Sequence, residues 1–144
     1  MYIGDFMEQL TRSELRKNIM TILYQINVYT LNKIDYNIED IIKEINPIDN
    51  EFVKDVVYGV ITKKEELDSL ANKYLNKWTI DRLGNTDQSI LRMAIYELLY
   101  TNTPGVVVIN EAIELAKSFS DDDVKNMING VLDKVYKNKV DSNE

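Results

Sequence analysis

Helix breakers are nearly missing from this chain, whose 144 residues contain two prolines, Pro47 and Pro104, and five glycines. Apolar residues recur at spacings of three and four, the period that lines one face of an α-helix. No fixed-length repeat or low-complexity block interrupts them. These features predict an all-α fold of six to seven helices. One domain suffices at this length, and folding hides about 70% of the surface an unfolded chain exposes, enough for a core.

Local signals place the elements. Thr11 and Glu14 form a capping box, in which each side chain satisfies a backbone donor the helix leaves free, so the first helix starts there and buries Leu15, Ile19, Ile22, Leu23 and Ile26. A short second helix covers about Ile38 to Ile45 and stops before Pro47. Asp49 or Asn50 starts the third, with Phe52, Val53, Val56, Val57, Val60 and Ile61 inward. Thr62 and Glu65 repeat the capping-box pattern and predict a fourth helix reaching about Asn76.

Trp78, Ile80 and Leu83 fall in a connecting turn that ends at Gly84, where a glycine can take a positive φ. Thr86 then reads as the N-cap of a helix over Asp87 to Tyr100, apolar around nearly its whole circumference and so expected at the centre. After Pro104 and Gly105, Ile109, Ala112, Ile113 and Ala116 outline another helix ending near Phe119. Ser120 reads as the cap of the last, from Asp121 to about Lys137. The domain spans 11–137, between an N-terminal extension over 1–10 and a polar tail over 138–144.

The residue inventory excludes much chemistry. The chain has no cysteine and no histidine, which removes thiolate zinc sites, disulfides, the commonest metal ligand and the usual general base. No phosphate loop, nucleophile elbow or dinucleotide fingerprint occurs, so the expectation is a non-enzyme without cofactor or metal. The first ten residues do not read as a signal peptide and no run of about 18 apolar residues occurs, which places the protein in the cytoplasm, away from membranes. Net charge is −7, which repels nucleic acid overall. With a Debye length near 8 Å at physiological salt, local patches decide that question.

Three such features stand out. Arg12 and Arg16 lie one turn apart at the start of the first helix, with Lys17 about 100° further round. Cations there oppose the helix dipole by about 0.3–1 kcal/mol each, which makes them candidates for gripping phosphates. The competing account is that their stems border the apolar stripe. Asp121, Asp122 and Asp123 resemble a cation site, but acidic residues suit a helix start and no calcium-loop pattern follows. Among nine tyrosines, Tyr58, Tyr74 and Tyr96 fall on or beside apolar stripes, whereas Tyr24 points about 165° away from the buried face and is the interface candidate.

Four stretches carry a likeness. They are Arg12 and Arg16 with Leu23-Tyr24-Gln25; Asp81-Arg82-Leu83-Gly84 continuing through Ile90 to Leu98; Ile109 to Lys117; and Asn129-Gly130-Val131-Leu132-Asp133-Lys134. In this order they resemble the NusB family over about Thr11 to Lys137. The resemblance implies a compact bundle of two three-helix sub-bundles. It also implies a transcription antitermination factor, in the RNA polymerase antitermination complex, that binds boxA-type single-stranded leader RNA together with the ribosomal protein NusE and so supports ribosomal RNA synthesis.

By the same resemblance Arg12, Arg16, Lys17, Lys125, Asn126 and Met127 would meet RNA, and Tyr24 and Asp87 the NusE-like partner. Relatives often have a denser basic run where this chain has Ser13 and Glu14, and a basic residue before phenylalanine where it has Asn126 and Met127. A thioether packs on a base without aromatic stacking, so the resemblance implies RNA binding that leans on the partner. The alternative is a protein-interaction module, a homodimer or ribosomal-protein binder, with little RNA binding of its own.

Overall fold

The computed structural model describes residues 10–142. Residues 1–9 of the expected extension and 143–144 of the expected tail lie outside them. The described residues form seven α-helices and one 3-10 turn: α1 (Arg12–Leu31), α2 (Ile38–Ile45), α3 (Glu51–Thr62), α4 (Lys64–Tyr74), the turn Ile80–Arg82, α5 (Asn85–Tyr100), α6 (Gly105–Phe119) and α7 (Asp122–Ser142). No strand occurs among them.

The helix expected at the centre is the axis of the fold. Every residue of α5 from Gln88 to Leu98 is buried, because α1, α3, α4, α6 and α7 all pack on it. α1–α3 form one group and α5–α7 the other; α4 touches α3, α5 and α7, and α2 packs on α1. The stripes read from the sequence are the core: Ile19, Ile22, Val53, Val56, Val57, Leu67, Ile90, Leu91, Ile95, Ile128 and Leu132 are fully buried. No helix among the described residues is long and apolar enough to cross a membrane.

Several boundaries differ from expectation, each for a local reason. Thr11 does cap α1, its Oγ accepting the Glu14 N–H at 3.1 Å. Thr62 does not cap α4: it is the last residue of α3, and the single residue Lys63 (φ −105°, ψ 17°) joins the two helices. The extended backbone that an N-cap side chain needs is therefore missing there. Thr86 lies inside α5, which begins after Gly84. Gly84 has φ −59° and ψ 153°, an extended entry to a helix and not a left-handed stop. Ser120 closes α6 in extended backbone; its hydroxyl donates to the Asp87 carboxylate, so it ties two helices together instead of capping α7. The last helix continues past Lys137 to Ser142, its inward face carried on by Tyr136 against Gly105.

Candidate nucleic-acid and partner interface

The start of α1 sorts its three cations into different environments. Arg12 is exposed, and its guanidinium lies 4.0 Å from the centre of the Phe52 ring on α3, a cation–π contact. Lys17 is exposed too, its Nζ 5.7 Å from the ring of Phe119 at the end of α6. Arg16 is 4% exposed. Its Nε and Nη2 donate to the two Glu97 oxygens at 2.9 and 2.8 Å, and its Nη1 lies 3.8 Å from Glu111.

Burial alone would lower the Arg16 pKa; the Glu97 hydrogen bonds and the charges of Glu97 and Glu111 outweigh it and raise it. Arg16, expected on the RNA-facing surface, is thus placed inside the protein with its donors taken up by Glu97. It falls on the buried side of α1 with Ile19 and Leu23, facing the carboxylates of Glu97 and Glu111. The signal that could have assigned it was Glu97, a carboxylate on the buried central helix, which requires a partner.

Along the outer face of α1, Lys17, Thr21 and Tyr24 are exposed, Tyr24 by 44%. A groove of about 350 Å³ runs beside its first turns, lined by Ser13, Glu14, Lys17, Glu111, Glu114 and Phe119 among others. Ser13 Oγ donates to both oxygens of Glu111 at 2.9 and 2.8 Å. One turn beyond Tyr24, the buried Asn27 donates to Asn85 at 2.6 Å and Gln88 at 3.1 Å. These residues flank Asp87, so Tyr24 and Asp87 sit on adjoining elements. Asp87, in the first turn of α5, suits that helix's dipole and accepts from Ser120.

A second groove, of about 430 Å³, opens between α7 and the segment that follows α4. Asn126 and Met127 line it, opposite Tyr74, Lys77 and Trp78, with Lys134 further along. Trp78 is 53% exposed, and neither Lys77 nor Lys134 joins an ion pair among the described residues. Gly130 adds to the open floor, since a Cβ there would meet nothing within 4 Å. Lys125 is half-buried and lies 3.9 Å from Asp122. The sequence reading missed Trp78, Lys77 and Lys134. An indole next to a lysine in a linker between helices was the available sign, because Trp exposed to water is a costly apolar surface unless something covers it.

The candidate residues fall on two patches, one beside the start of α1 and one in the groove along α7. Arg12 turns to Phe52 on α3 and Arg16 to the interior, while Asn126 and Met127 face the post-α4 segment. α1 and α7 both pack on α5. Lys17 reaches Phe119, the last residue of α6, three positions before α7 begins.

Comparison with known proteins gives this arrangement a context. The NusB family model matches residues 13–137. The transcription antitermination protein NusB of Macrococcus caseolyticus is 41% identical over 132 residues, 90% of this chain and 99% of that protein. NusB of Staphylococcus aureus is 43% identical over 129 residues, 89% of this chain and all of its own length. In three dimensions the chain is similar to T. maritima NusB, with a TM-score of 0.75 and 31% identity over 89% of this chain and 92% of that one. It is also similar to a chain in a crystal structure of antitermination factors NusB and NusE in complex with dsRNA, with a TM-score of 0.72 and 29% identity over 88% and 96%. Likeness that runs almost end to end in both sequence and backbone leaves one assignment, and the chain belongs to the NusB family of transcription antitermination proteins.

Proposed function

We propose that this protein acts in the cytoplasm as an antitermination adaptor that holds a boxA-type single-stranded leader RNA jointly with a NusE-like ribosomal protein, supporting ribosomal RNA transcription. As a NusB-family protein it is a transcription factor and not an enzyme. The observation that carries the RNA reading is the groove in which Trp78 and Met127 offer flat or soft apolar faces beside Lys77 and Lys134. Unpaired bases stack on such faces while lysines follow the backbone. The related NusB–NusE complex holds dsRNA; exposed stacking faces favour an unpaired strand here. Arg12 and Lys17 would take phosphates on the other patch, with Lys125 and Asn126 bordering the groove.

Tyr24 and Asp87 are the proposed contacts for the partner. A chain of net charge −7 attracts a basic ribosomal protein by electrostatic complementarity, and the pair presents a positive surface that the adaptor lacks alone. The deciding measurement is binding of boxA-like RNA with and without NusE. Much tighter binding in its presence supports the proposal; equally negligible binding in both overturns it.

The second reading, an interaction module that self-associates or binds only a ribosomal protein, draws support from the loss of Arg16 to the interior. RNA retention in the ternary complex that is indifferent to Arg12→Ala with Lys17→Ala and to Trp78→Ala would favour it, as would a dimer by light scattering that NusE cannot dissociate.

A further inference from the structure

A cavity of about 150 Å³ lies away from both patches, among α1, α3, α4, α5 and the segment after α1. Leu23, Ile26, Val60 and Ile61 give it an apolar lining. Its volume is of the order that accepts one benzene-sized group. Polar groups line it too: Asn27, Ser89 and Arg92, all buried, and the more exposed Thr30, Tyr36 and Lys64.

Two of these cations have donor capacity to spare. Arg92 is 6% exposed and binds Asp68 through Nε and Nη2 at 2.7 and 3.0 Å. Its Nη1 makes only a long bond to Asn27 Oδ1 at 3.5 Å. Lys64 is half-buried and makes no ion pair or side-chain hydrogen bond among the described residues. Asp68 offsets Arg92, whereas Lys64, although followed by Glu65 and Glu66 in the first turn of α4, is directly paired with neither. An apolar chamber with a few polar and charged groups in its wall is the usual form of a small-molecule site. An inorganic anion would leave the aliphatic lining uncovered, and a neutral hydrocarbon would leave Lys64 and Arg92 unused.

We propose that this cavity binds a compact carboxylate with an apolar body. The body fills the space between Ile26 and Val60, and the carboxylate accepts charge-assisted hydrogen bonds from Lys64 and from Arg92 Nη1, in place of its long bond to Asn27.

The test is a ¹⁵N NMR titration of the full chain with benzoate, benzyl alcohol and acetate in turn. Benzoate should saturate and shift the amides of Asn27, Val60, Ile61, Lys64 and Ser89. Benzyl alcohol, which lacks the charge, and acetate, which lacks the ring, should each bind about tenfold more weakly. Lys64→Gln, at a half-exposed position that leaves the fold intact by thermal melting, should weaken benzoate by a similar factor. Ile61→Phe, which narrows the chamber without touching the cations, should also weaken it. Shifts that do not saturate, benzyl alcohol binding as tightly as benzoate, or benzoate affinity unchanged in both variants would each overturn the proposal.

Discussion

Arg16 and Glu97 stand 81 residues apart in the chain and meet in the interior as a two-bond pair, their side chains 4% and 2% exposed. This contact fastens the start of α1 to the central helix, beside the α6 residue Glu111. An ion pair taken out of water adds little net stability over well-packed apolar residues, but removing one member strands the other as a buried charge.

Arg16→Met should therefore cost about 3–5 kcal/mol in urea unfolding. The double variant Arg16→Met with Glu97→Leu should recover much of that loss. Arg16→Lys should fall between, because an ammonium cannot reproduce the two-pronged geometry. A single-variant loss below about 1 kcal/mol, the range of surface pairs, would mean the pair is effectively solvated.

The Tyr96 ring covers Gly59 of α3 so closely that a Cβ there would overlap it. Gly→Ala inside a helix ordinarily stabilises by about 1 kcal/mol; here the ring is buried and held by its hydroxyl to Asp55 at 2.8 Å. It cannot swing aside, so Gly59→Ala should instead destabilise by about 1–3 kcal/mol through overpacking. Burial, followed by the Asp55 hydrogen bond and charge, pushes the Tyr96 pKa up to about 12. Between the ordinary tyrosine value near 10 and that value the folded state holds a proton the unfolded state has lost, so this contribution to stability falls as pH rises through the window. Tyr96→Phe should flatten the alkaline part of the stability curve. Identical pH slopes for the two proteins would sink the assignment.

The separation of Arg12 and Lys17 from Arg16 also sets an expectation for salt. Each phosphate contact to single-stranded RNA contributes about 0.7 to the slope of log affinity against log salt. Arg12→Ala and Lys17→Ala should each reduce the slope magnitude of the NusE-containing complex by about that amount, with the fold unchanged. Slopes equal to the parent's in both variants would remove these residues from the RNA surface.

What the sequence made legible was whatever depends on period. The apolar stripes of α1, α3 and α5 are the core, and the central place of α5 followed from its lack of a polar face. Caps were less legible, because Thr62 and Glu65 satisfy the capping pattern whether or not the backbone before them is extended, and α3 runs on through that position. The pairing of Arg16 was not legible for a related reason: a helix periodicity gives the side of the helix but not the carboxylate waiting there, and Glu97 and Glu111 lie 81 and 95 positions away. The Trp78 groove needed the same long-range information, since α7 meets the post-α4 segment only in three dimensions. Tyr24, whose exposure depends only on its own helix, was placed correctly.

Trp78 gives the sharpest test of the RNA groove. Because its ring is 53% exposed, Trp78→Ala forfeits little packing and should leave the melting temperature within a degree or two of the parent's, on the order of the surface-substitution range. Loss of a stacking platform should nevertheless cost about 1–3 kcal/mol in RNA affinity with NusE present. Met127→Phe works in the opposite direction: across the groove it adds an aromatic face where the parent has a thioether, and affinity should rise. The pair distinguishes stacking from mere apolar contact, because Met127→Leu keeps the apolar bulk and should give no gain. Were Trp78→Ala neutral and Met127→Phe no better than Met127→Leu, the bases would have to lie elsewhere on the protein.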